Sequence, residues 1–187
     1  MQTVIPEDYK SNYLRILMER FDRCSVPELL IIGVAAIDDL LIQILKKRLV
    51  ETKWCASNNF GVFNRLNLAL STQSISKELY KGLTDLIEIR NKFAHNFIIE
   101  SLSHEKVSDP VTRLIKSNHF LFEHIADDVY AELSRTDSTA PTQEEIVNRI
   151  PISQKIEIIL TAFTRFLLLT IDATTPVDQV ILSDGGA

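Results

Sequence analysis

The segment Ser25 to Leu49 constrains what this chain can fold into more than any other part. Ser25, Pro27 and Glu28 form a capping box at a helix start. Serine and glutamate each answer a backbone N–H that has no partner within the helix, and proline removes another. From Leu29 to Ile37 the chain then runs nine residues that are apolar apart from Gly33. A helix with no polar face over its first turns must be central, enclosed by other elements. Nine residues fall well short of the roughly 20 that span a bilayer, so the stretch is a core helix. From Asp38 onward it becomes two-faced, and it ends in Lys46-Lys47-Arg48, where cations meet the negative end of the helix dipole.

The remaining periodicity is also helical. Tyr13, Ile16, Leu17 and Phe21 stripe a helix over Tyr9 to Asp22, and Phe63, Leu66 and Leu70 stripe a short one over Val62 to Leu70. Ser76 caps a long helix reaching His95, with Leu79, Leu83, Leu86, Ile87 and Phe93 on its inner side. Asp109-Pro110 reads as the start of a further short helix. Phe120 to Leu133 carries another, and Thr142 with Glu145 caps one that Pro151 ends. Ser153 to Asp172 has a continuous stripe from Ile156 to Ile171. Residues 51–61 and 136–142 read as a loop and a polar linker. With 187 residues, 45% hydrophobic and only five Gly and six Pro, a protein of many short strands is excluded. The expectation is one all-α domain over residues 1–174, a bundle of about six to eight helices. A frayed tail, 175–187, follows it.

Charge narrows the function classes. The net charge is −5, so the whole chain is no electrostatic clamp for nucleic acid. The charge is uneven, however. Residues 1–116 hold 16 basic and 14 acidic side chains, whereas residues 117–187 hold 4 and 11. The plainer reading is a solvated acidic surface on the last helices; the sharper one is that any anionic ligand contacts residues 1–116. Cys24 and Cys55 form no metal-binding or disulfide spacing. The first residues show no signal peptide, so a cytoplasmic protein without a membrane segment is expected.

Chemistry concentrates in Ile89-Arg90-Asn91-Lys92-Phe93-Ala94-His95-Asn96-Phe97. Asn91 and His95 are four apart and share a helix face, and the long Arg90 side chain can swing toward them. A fixed cation, an amide and an imidazole titrating near neutrality are the minimum for cutting RNA without a metal. The 2′-hydroxyl is then the nucleophile, His95 the acid–base, Arg90 the phosphate clamp and Asn91 the orienting amide. Lys92 and Arg65 are the nearest further cations. The same residues equally suit a structural task, in which Arg90 would be buried against Asp38, Asp39 or Glu88.

Asp38 and Asp39 lie about 100° apart on a helix, so they cannot form one carboxylate pair. One is expected to face inward and pair with a cation such as Arg65 or Arg90, the other to face solvent. Further carboxylates at metal-binding spacing are lacking. His104, His119 and His124 are scattered, and Trp54 and Phe60 read as an anchor against the core. No Gly-rich phosphate loop or nucleophile elbow occurs, so neither metal nor cofactor is expected.

Arg90 to His95 matches the R-N-x-x-x-H motif of HEPN-type proteins, small helical domains that often act as dimeric ribonucleases or toxins. A larger part of the chain, roughly residues 15–115, resembles the mannitol operon repressor-like family. Three blocks carry that resemblance: Ala35 to Leu41, Gly61 to Ala69, and Ile89 to His95. The glycine that often follows the second block is replaced here by Ser71-Thr72-Gln73. The resemblance implies an all-α regulator without a DNA-reading helix-turn-helix. It would work as a homodimer and through a protein partner rather than by direct sequence-specific DNA binding. The motif keeps open the rival expectation of a metal-independent endoribonuclease that takes RNA at a dimer groove.

Overall fold

A computed structural model describes residues 7–49, 51–57, 59–95, 104–118 and 143–175. Among these there are seven helices and no strand: α1 (Glu7–Phe21), α2 (Val26–Arg48), α3 (Val62–Ser71), α4 (Lys77–His95), α5 (His104–Ser117), α6 (Gln143–Arg149) and α7 (Ile152–Ala173). The chain is all-α. The expected helix over Phe120 to Leu133, the 136–142 linker and the tail beyond Thr175 lie outside the described residues.

Helix α2 is the axis of the bundle and packs most extensively on α7. Leu30, Ile37, Leu40, Leu41, Ile44 and Leu45 are wholly buried, facing Ile156, Ile159, Leu160, Phe163 and Leu167 within one continuous core. The two helices run parallel, since Gly33 meets Leu160 and Lys47 donates to the Ile171 carbonyl at 2.7 Å. At Gly33 the contact is so close that a Cβ would lie 2.3 Å from a Leu160 methyl. Helix α1 packs on α7, its Lys10 pairing with Asp172, while α3 and α4 close the other side of α2.

The capping box forms at α2, where Glu28 accepts from the Ser25 backbone N–H at 2.8 Å and its hydroxyl at 2.6 Å. These two donors hold the Glu28 carboxyl below its ordinary range. Helix α3 ends in a Schellman turn, with Ser74 N–H donating to Ala69 and Gln73 N–H to Leu70. Gln73 takes the left-handed position, φ 53°. A glycine-preferring conformation is thus filled by glutamine.

The largest boundary difference from the sequence expectation is at α5. Helix α5 begins at His104, not at Asp109-Pro110, and Pro110 falls inside it. Asp-Pro is a good helix start, but Val111, Leu114 and Ile115 bury a face against α4 and α7, and that packing carries the helix through the proline. Helix α7 likewise starts one residue earlier, directly after Pro151.

Candidate functional site

Two sets of polar residues stand out, and no hydrogen bond joins them among the described residues. The first is built on Arg65 of α3, only 4% exposed. Its Nη1 donates to both Asp38 oxygens, at 2.8 and 2.6 Å. Its Nε donates to the Cys55 carbonyl and its Nη2 to the Ser57 carbonyl, each at 2.7 Å. The guanidinium therefore ties α2, α3 and the 51–57 loop together, with donors on all three of its nitrogens used. Asp39 is exposed and pairs with no cation among the described residues. The cation opposite Asp38 is Arg65; Arg90 is elsewhere.

The loop so held turns Cys55 into the core, where burial raises its thiol pKa above the ordinary value, the opposite of an activated nucleophile. Its neighbour Trp54 points outward, 46% exposed, with its ring edge-on to Phe60 at 4.9 Å. Phe60 alone of the two packs on the core. This corrects the expectation of a Trp54 anchor: adjacent residues of a turn cannot both face in.

The second set is the R-N-x-x-x-H stretch at the end of α4. Arg90 stands four residues after Leu86 and three before Phe93, which places it on the core-facing side of the helix. It is partly buried, and its Nη1 donates to Asn91 Oδ1 at 2.9 Å. Its Nε is buried with no hydrogen-bond partner. Arg90 is not paired with Asp38, Asp39 or Glu88, so the structural arrangement expected for it is not the one adopted. The difference follows from the helical phase, because Glu88 is two residues away and on another side. His95 is the last residue of α4, and its side chain lies outside the described residues, as do those of His104, His119 and His124.

A groove of about 540 Å³ opens between α4 and α5. Lys81, Asp85, Glu88 and Lys92 line it from α4, and Arg113 and Lys116 from α5. Four cations outnumber two acids there. Burial and the Glu88 charge raise the Asp85 carboxyl pKa, against the pull of Lys81. Sequence reading named Glu88 and Lys92 but missed the rest. The signal was present, since residues 81, 85, 88 and 92 recur at helical spacing on one side of α4. Arg113 and Lys116 lie within the helix expected after Asp109-Pro110, but nothing in its periodicity shows that it packs beside α4. Behind Lys116, Lys155 of α7 is 4% exposed and, among the described residues, donates to the Thr112 hydroxyl at 3.3 Å. Desolvation first, then the Lys116 charge, hold its ammonium below the ordinary lysine range.

Among the described residues, no group of three His, Cys, Asp or Glu could hold a metal ion, and no helix is long and apolar enough to cross a membrane. Compared with family models, curated proteins and solved structures, the chain matches none.

Proposed function

We propose that the chain is a non-enzymatic regulatory module of the mannitol-operon-repressor-like kind, a homodimer that acts in the cytoplasm through a protein partner. The observation that carries this reading is the placement of Arg90. A ribonuclease of this type needs that guanidinium open and electropositive at the phosphate, whereas here it lies along the core side of α4 and donates to Asn91. Arg65, the next candidate cation, is buried in its pairing with Asp38 and two carbonyls. Two free thiols suit a reducing compartment. The test is a gel shift with the pure protein on candidate operator DNA. No specific complex is expected at physiological salt. Specific, salt-resistant binding by the protein alone would overturn the partner-dependent mechanism.

One observation favours a second reading, a metal-independent endoribonuclease or toxin. The cationic groove between α4 and α5 runs beside the motif and includes Lys92, so it offers a phosphate backbone a local footprint despite the acidic whole. That reading requires RNA cleavage in EDTA that depends on Arg90 and His95.

A further inference from the structure

A second groove, about 400 Å³, lies between α1 and α2. Helix α1 packs chiefly on α7 and leans away from α2, which Tyr13 reaches with a 3.4 Å hydrogen bond to the Ala36 carbonyl. The floor is Leu17, Ile32, Ala35 and Ala36, and the rims carry Ile16 and Ile31, 45% and 44% exposed. Two adjoining half-exposed isoleucines over an apolar cleft form a patch, unlike single surface apolar residues.

The ends of this groove carry opposite charges. Helices α1 and α2 form an antiparallel hairpin, so Arg20 lies at the end beside Ile31 and Asp39 at the end beside Tyr13. Seven residues of α1 separate Arg20 from Tyr13, which is about 10 Å along a helix. Neither Arg20 nor Asp39 has an ion-pair partner among the described residues. A two-fold axis lying across the groove reverses its direction. The Arg20 end of one copy then meets the Asp39 end of the other, and symmetry makes the contact twice. The small side chains of Ala35 and Ala36 at the middle leave room for Ile16 or Ile31 of the facing copy.

We infer that the α1/α2 groove is the surface through which two copies of this chain pair. The inference rests on the reading of the chain as a dimeric module and locates its interface. Its test is light scattering over a concentration series, with circular dichroism to confirm folding. Wild type should approach twice 21.3 kDa. Arg20→Glu and Asp39→Arg, both surface changes, should each weaken pairing at least about tenfold, because each sets like charges opposite one another. The double variant Arg20→Glu/Asp39→Arg restores both contacts in reversed sense and should dimerise near the wild-type concentration. A dimer unaffected by either single variant would overturn this interface while leaving the dimeric module standing. So would a double variant no better than the singles. A wild type that stays monomeric at all concentrations would overturn both, leaving the groove to another occupant.

Discussion

At the scale of single residues, Arg65 matters most to the fold. Removing it leaves the Asp38 carboxylate and two loop carbonyls without their donor. Arg65→Ala should therefore cost about 3–5 kcal/mol in urea unfolding, the range for breaking a buried pair. Arg65→Lys should recover only part of this, since one ammonium cannot reach three directions in a fixed plane. Gln73 is the converse case. It occupies a left-handed position at φ 53°, so Gln73→Gly should stabilise by about 0.5–1 kcal/mol, the relieved strain exceeding the added unfolded-chain entropy. Lys155 gives a pH signature. Its pKa is lowered in the fold, so between that value and the unfolded one, about 10.4, the unfolded chain binds more protons and stability rises with pH. Lys155→Met should raise the melting temperature at pH 7, because it removes an ammonium that burial disfavours. That gain should shrink as pH approaches 10.

At the scale of elements, the parallel contact of α2 with α7 organises the bundle. Gly33→Ala would push a methyl group into Leu160, itself wholly buried. The better helix propensity of alanine offsets only part of the clash, and a net loss of about 1–3 kcal/mol is expected in thermal or urea melts. Leu41→Ala, at a fully buried site in the same helix, should cost about 2–5 kcal/mol. Both helices were legible in the sequence for physical reasons. The capping box and unbroken apolar run left α2 no exposed arrangement, and the stripe from Ile156 to Ile171 gave α7 one inner face. Helix α5 was less legible, because Asp109-Pro110 is a strong local start signal and only the packing of Val111, Leu114 and Ile115 overrides it. The side of Arg90 was legible in principle, since its spacing from Leu86 and Phe93 fixes it. The α4 wall of the cationic groove was legible in the spacing of residues 81, 85, 88 and 92, but the grooves themselves were not, because each is lined by faces of two helices whose separation no single periodicity encodes.

At the scale of the whole molecule, the acidic total and the local cationic groove pull toward different functions, and the proposed reading turns on the position of Arg90. On that reading, a guanidinium donating to Asn91 from the core side of α4 acts as a packing element with a polar end. Truncating it should lower stability without removing any activity. The direct measurement is incubation of the purified protein with single-stranded RNA in EDTA, read on a denaturing gel for wild type, Arg90→Ala and His95→Ala, with a melting curve for each. Intact RNA is expected in all three, with a lower melting temperature for Arg90→Ala. RNA cleaved by wild type and spared by both variants while they remain folded would contradict it and make the motif a catalytic centre.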